Sequence, residues 1–167
     1  MLDCIILGDS VAVGVGQARP DCVVTAVSGI TSERYLQVFA TTAEARVAII
    51  SLGVNDGDGA ATADNLRLLR RKVTAGTVYW LVAGSNPAIR TAIHSVAGEF
   101  ADRLIDVAPL AGADHIHPDR AGYAALAAQT GATPAHIPPA VAAFAEFPGL
   151  KIWNGPYNLN GVPTKGR

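Results

Sequence analysis

The chain begins with an apolar run that leads straight into a small polar turn: Leu2-Asp3-Cys4-Ile5-Ile6-Leu7-Gly8-Asp9-Ser10. Short runs rich in Ile and Val that end at Gly or Asp are typical of buried strands. A serine directly after such a strand, where a helix begins, lies among unpaired backbone N–H groups at the positive end of the helix. The stretch therefore predicts a strand, a tight turn and a helix that starts at Ser10.

Four more apolar runs follow at regular intervals, at residues 22–27, 47–52, 78–83 and, more weakly, 104–107. Between them, residues 31–45, 62–73, 88–100 and 119–129 have apolar residues at helical spacing or helix boundary signals. Strands that alternate with helices in this way indicate βαβ units, a parallel sheet and right-handed crossovers.

Length and composition favour one domain without a nucleic-acid or membrane partner. The chain has 167 residues, 13 basic and 14 acidic residues and a net charge of -1, whereas nucleic-acid binding usually shows a pervasive basic bias. No apolar run is long enough to span a bilayer, and we expect no leader before the first strand. We expect a cytoplasmic protein, although a processed secreted form stays open.

The domain is expected to end near residue 132. Residues 133–167 are rich in Pro, Asn and Gly and predict an irregular extension that packs on the same domain or serves oligomer contacts. Cys4 and Cys22 form no CxxC pair and are expected to be buried free thiols. We expect no metal and no cofactor.

A second informative stretch is Asp114-His115-Ile116-His117-Pro118. In an open parallel sheet, ligands bind beyond the carboxyl ends of the strands, where this stretch and Ser10 are both expected to lie. His117 would be the general base for a nucleophilic Ser10, and Asp114, three residues before it, would orient the imidazole. His115 follows Asp114 directly, which makes the same hydrogen bond awkward.

Two other strand ends can supply hydrogen bonds to an oxyanion. Gly29 follows the second run and would donate its backbone N–H, while Asn55 follows the third and would donate its side-chain amide. Each has an ordinary alternative, because glycine and asparagine are common turn residues, and Ser10 alone could be only a helix cap. His94 and His136 have no acidic residue at a spacing that predicts a catalytic pair, and both are expected at the surface.

These blocks resemble the SGNH hydrolases, also called the GDSL-like lipase/esterase family: Gly8-Asp9-Ser10-Val11, then Gly29, then Gly53-Val54-Asn55-Asp56, then Asp114-x-x-His117-Pro118. The resemblance implies a three-layer α/β/α sandwich with a five-stranded, flavodoxin-like parallel sheet. It also implies a catalytic triad of Ser10, Asp114 and His117, and an oxyanion hole of Ser10, Gly29 and Asn55. Val11 stands where the longer GDSL pattern often has Leu.

The expected function is therefore a serine esterase for short-chain acyl esters, acetyl above all, with a small-molecule or glycan ester as substrate. A lysophospholipase- or thioesterase-like acyl hydrolase is an alternative, and so is a catalytically silent binding protein of the same fold. A nucleotide-binding protein is less favoured, since neither Gly14-Val15-Gly16 nor Gly57-Asp58-Gly59 completes a GxGxxG motif.

Overall fold

A computed structural model describes residues 1–39 and 42–131. They contain five strands: β1 (Leu2–Gly8), β2 (Val23–Ala26), β3 (Ala43–Ser51), β4 (Val73–Val82) and β5 (Arg103–Asp106). Five α-helices alternate with them: α1 (Ser10–Ala18), α2 (Ser32–Val38), α3 (Thr62–Arg71), α4 (Pro87–Glu99) and α5 (Arg120–Gln129). A 3-10 turn, Ala108–Leu110, follows β5.

The strands form one parallel sheet in the order β2-β1-β3-β4-β5. Side chains alternate between its faces, so Ile5, Leu7 and Ile50 pack with α2, α3 and α4, whereas Ile6 and Ile49 pack with α1 and α5. The predicted three-layer, flavodoxin-like sandwich is confirmed. The strand order places β1 between β2 and β3, so the loops after β2 and β3 lie on either side of Ser10, which follows β1.

The predicted helix over residues 31–45 is wrong in its second half. Helix α2 ends at Val38, and residues 43–45 begin β3, paired with both neighbouring strands: Ala43 lies opposite Val73, and Ala45 opposite Leu2. Alanine favours helices in isolation, but pairing in the sheet overrides that preference. β4 is longer than expected for the same reason, since it starts at Val73 to match the extended β3.

The expectation of two free thiols is also wrong, because Cys4 and Cys22 form a disulfide. The parallel register pairs Ile5 with Val23, so Cys4 and Cys22 face each other one step earlier, with their Cα atoms 4.5 Å apart. This distance lies within the range that a disulfide spans. The pairing depends on β1 and β2 being neighbours, which the spacing of 18 residues does not reveal.

Other expectations concern the surface and the end of the chain. His94 is exposed on α4, as expected. No helix in the described ranges is long and apolar enough to cross a membrane. The predicted extension over residues 133–167 and the surface position of His136 lie outside the described residues.

The disulfide should contribute measurably to stability. It closes a loop of about 18 residues that contains the whole of α1, and a loop of that length corresponds to about 3 kcal/mol of unfolding free energy. We expect a reductant to lower the urea midpoint of the wild-type protein by roughly 1–3 M. A Cys22→Ser variant should start at the lower midpoint and not respond to reductant. Equal midpoints for reduced and oxidised wild type would contradict the predicted contribution.

Candidate active site

The turn after β1 sets the position of Ser10. Gly8 has φ +137°, and a Cβ atom there would overlap the carbonyl of Ser51 at the end of β3, so only glycine fits. The backbone N–H of Asp9 donates to that same carbonyl, at 2.9 Å. Asp9 then caps α1, its Oδ1 accepting from the backbone N–H of Val11 at 3.0 Å. Because Asp9 is the cap, the Ser10 hydroxyl is not needed for that purpose.

His117 contacts Ser10 directly. Its Nε2 lies 2.7 Å from the Ser10 Oγ, and its Nδ1 lies 2.6 Å from Oδ2 of Asp114. The other oxygen of Asp114 accepts from the backbone N–H groups of Ile116 and His117, at 3.0 and 2.9 Å. The three side chains thus form one chain of hydrogen bonds, and it is His117 rather than His115 that reaches the serine.

The loop that carries Asp114 and His117 is closed on itself. Ala111 bridges to Pro118, and the Gly112 N–H donates to the carbonyl of His117 at 2.8 Å. His115 lies at the tip with φ +59°, a backbone conformation uncommon for histidine. The tight loop holds Asp114 and His117 at a fixed spacing from each other.

The surroundings of Asp114 favour the ionised form of its carboxyl group. Partial burial opposes ionisation, but the backbone N–H groups of His117 and Ile116 and the imidazole of His117 together lower the pKa of Asp114 to about 2. The carboxylate is therefore ionised at neutral pH and can stabilise an imidazolium at His117.

A close contact between helices α1 and α5 brings this loop to Ser10. The contact is needed because the loop follows β5 and Ser10 follows β1, and β3 and β4 lie between these two strands in the sheet. α5 packs against α1, and a Cβ atom at Gly14 would overlap the ring of Tyr123. The missing side chain at Gly14 lets the two helices approach, and His117 precedes α5 by only three residues. The sequence does not predict this packing role of Gly14. Its one sequence signal is a glycine inside a predicted helix.

Gly29 and Asn55 lie in the loops on either side of Ser10, after β2 and β3. Gly29 is exposed and has φ +77°, and a Cβ atom there would meet open space, so its backbone conformation rather than crowding favours glycine. The amide of Asn55 donates to the carbonyl of Ile30 at 3.0 Å. An asparagine amide has two N–H bonds, so this contact orients the group and uses only one of them.

Asp9 is the unusual group beneath the site. It is fully buried, its Oδ1 also accepts from the Ser51 hydroxyl at 2.9 Å, and its Oδ2 has no hydrogen-bond partner. Burial raises the pKa of Asp9 to about 6, and the hydrogen bonds from Ser51 and the α1 backbone offset only part of that effect.

Within residues 1–39 and 42–131, one other cluster has side chains of the types that ligate metals. Cys4, Asp21 and Cys22 lie with their ligand atoms within 4.8 Å of one another. The two sulfur atoms are joined in the disulfide and are not thiolates, and Asp21 is paired with the guanidinium of Arg19. The cluster is therefore not suited to bind a metal in this oxidised form.

The comparisons place the fold among known structures. No protein-family profile matches the sequence, and no curated protein matches it. Among solved structures, a Bacillus subtilis protein superposes with a TM-score of 0.56 at 19% identity, covering 77% of this chain and 54% of that one. This chain thus spans only about half the length of that protein.

Two other solved structures are covered over nearly their whole length. The catalytic domain of Streptococcus pneumoniae peptidoglycan O-acetyltransferase A gives a TM-score of 0.51 at 16% identity, covering 77% of this chain and 91% of that one. Est24, a carbohydrate acetylesterase from Sinorhizobium meliloti, gives 0.52 at 12%, covering 77% and 98%. The chain has an SGNH hydrolase-like fold, as the sequence resemblance implied.

The buried carboxyl of Asp9 leads to a pH-dependent prediction. Because its pKa is raised in the folded protein, the stability that it contributes is present below about pH 3.8 and is lost as the pH rises through about 6. Asp9→Asn removes that ionisation and keeps a capping oxygen. The unfolding free energy of the variant relative to wild type should therefore rise by up to about 3 kcal/mol between pH 4 and pH 8.

Urea titrations across this pH range measure the effect. Asp58→Asn, which alters an exposed carboxyl that accepts from the Ala60 N–H, is the matched control and should not show the rise. A stability difference between Asp9→Asn and wild type that does not change with pH would contradict the prediction.

Proposed function

We propose that the protein is a serine esterase that hydrolyses short-chain acyl esters, with acetyl esters as the preferred class. The observation that supports this most strongly is the hydrogen-bonded chain from Ser10 through His117 to Asp114. It lies at the carboxyl edge of the sheet, between loops that hold backbone and amide donors. A nucleophile, a base and an oriented carboxylate in this geometry suit acyl transfer through a covalent intermediate.

In the proposed mechanism, His117 takes the proton from Ser10 as its Oγ attacks the ester carbonyl. The tetrahedral oxyanion accepts hydrogen bonds from the backbone N–H groups of Ser10 and Gly29 and from the second amide N–H of Asn55. Asp114 stabilises the imidazolium while it exists. His117 then protonates the leaving alcohol, and water, deprotonated by His117, releases the acid and restores Ser10.

One observation favours a small acyl group, and a second concerns the size of the alcohol. The aromatic side chains of the described residues are buried or pack against the two cores, as with Tyr79 and Trp80, so few of them are available to line a long acyl channel beside Ser10. Gly29 and Ser28 are exposed beside the site, which leaves it open to a bulky alcohol. Structural neighbours that are an acetylesterase and an O-acetyltransferase agree with acetyl chemistry, and a glycan ester is a suitable substrate class.

The Cys4–Cys22 disulfide is informative about the cellular compartment in which the protein works. Cytosolic proteins seldom keep structural disulfides, because thiol reductants hold their cysteines reduced. We therefore propose that the working form, with Cys4 joined to Cys22, belongs to an oxidising compartment rather than to the cytoplasm that the sequence suggested.

The decisive test is hydrolysis of p-nitrophenyl esters from acetate to octanoate by wild type and Ser10→Ala. We expect wild-type activity to be highest on acetate, and the variant to lose at least about 10³-fold in kcat, because the nucleophile is absent. An optimum at octanoate would favour the longer-acyl alternative. Equal rates for both proteins would refute the serine mechanism, and absence of Ser10 labelling by a fluorophosphonate would favour a silent binding protein.

A matched pair of histidine variants tests the identity of the base. His117→Asn should lower kcat by at least about 10³-fold, since no group then accepts the Ser10 proton. His115→Asn changes the neighbouring exposed histidine and suits its φ of +59°, because asparagine tolerates this conformation. The loop backbone should then stay unchanged, and kcat should remain within about twofold of wild type. Comparable losses in both variants would contradict the assignment of His117.

A further inference from the structure

We propose that Asp56 is a positioning residue that aligns the two oxyanion donors, Gly29 and Asn55, with each other; this rests on the proposed esterase function. Asp56 follows Asn55 in the loop after β3, yet its carboxylate binds the loop after β2. One oxygen accepts from the backbone N–H of Ser32 at 2.7 Å, and the other accepts from the Ser32 hydroxyl.

The same carboxylate also holds the start of α3. Its second oxygen accepts from the hydroxyl of Thr62 at 2.7 Å, and the amide of Asn65 donates to the Ser32 hydroxyl at 2.9 Å. Ser32 and Thr62 are almost fully buried, so these hydrogen bonds are shielded from competing water. Asp56 thus joins the start of α2, its own loop and the start of α3.

This junction lies next to both proposed donors. Ser32 is three residues after Gly29, and Asp56 is the neighbour of Asn55. A second link runs parallel to the first, because the Asn55 amide donates to the carbonyl of Ile30. Two cross-links between the same two loops fix both their separation and their relative rotation. Since an oxyanion hole works only when its donors converge on one point, loosening either link should weaken it.

A purely structural role would have a different signature. The Ser32 N–H is one of the unpaired donors at the first turn of α2, and satisfying it stabilises that helix in any case. If this were all that Asp56 does, its loss would lower the melting temperature and leave kcat per folded molecule unchanged. A positioning role instead lowers kcat in molecules that remain folded, with little change in KM, because the donors act on the transition state.

The first experiment is Asp56→Asn with p-nitrophenyl acetate. The amide keeps the shape of the side chain but has only one accepting oxygen, so it cannot accept all three hydrogen bonds. We expect kcat to fall by about 10- to 100-fold, below the loss of about 10²–10³ typical for removing a donor outright. KM should stay within about threefold. Asp58→Asn, in the same loop with an exposed carboxyl, should leave kcat and KM unchanged.

Rates are expressed per molecule that a fluorophosphonate labels at Ser10, which corrects for an unfolded fraction. Ser32→Ala provides a milder second variant, since it removes the hydroxyl contact and keeps the backbone contact, and it should lower kcat less than Asp56→Asn. A melting temperature lowered without any loss of kcat per labelled site would overturn the proposal.

A double-mutant cycle with Asn55→Ala tests the route of the effect. If Asp56 acts through the oxyanion donors, the loss caused by Asp56→Asn should be at least about threefold smaller in the Asn55→Ala background than in wild type. Fully multiplicative losses would overturn the proposed alignment. Absence of Ser10-dependent hydrolysis in wild type would overturn the esterase function together with this inference. Wild-type hydrolysis that Asp56→Asn leaves undiminished would overturn this inference alone.

Discussion

The backbone at the end of β1 packs against the end of β3 with no space for a side chain. Gly8 lies against the carbonyl of Ser51, and the next residue, Asp9, donates to that carbonyl and accepts from the Ser51 hydroxyl. This contact fixes where the chain turns from strand into helix, and so where Ser10 begins α1. The loops after β2 and β3 then lie on either side of Ser10, because β1 is between those strands.

The remaining parts of the site come from a distance. His117 is 107 residues from Ser10 along the chain, and the packing of α5 on α1 places the His117 Nε2 2.7 Å from the Ser10 Oγ. That packing needs Gly14 to be small and Tyr123 to lie across it. The Asp114–His117 pair, by contrast, is local, since three residues and one closed loop set its geometry. The site thus combines a locally formed Asp114–His117 pair with a serine, Ser10, whose position the sheet determines.

The ionised form of the Asp9 side chain, beneath the site, is energetically unfavourable. The Asp9 carboxyl is fully buried with one oxygen unpaired, and its raised pKa shows that burial disfavours its ionised form. Asp56 illustrates the opposite arrangement, since its carboxylate is satisfied by Ser32 and Thr62. The side chain of Asp9 caps the turn that carries Ser10, and the side chain of Asp56 joins the loops after β2 and β3. Buried polar networks of the second kind favour a unique arrangement of the backbone around them.

The sequence by itself determined the strand–helix alternation, the parallel sheet and the residues on which a site could be built. It did so because apolar runs, turn residues and the Asp114-x-x-His117 spacing are local features. Tertiary structure alone decided that Cys4 lies opposite Cys22, that residues 43–45 join β3, that Gly14 admits Tyr123 and that Asp56 reaches Ser32. Each of these depends on strand order, register or helix packing, which bring together residues whose spacing along the chain carries no sign of their contact.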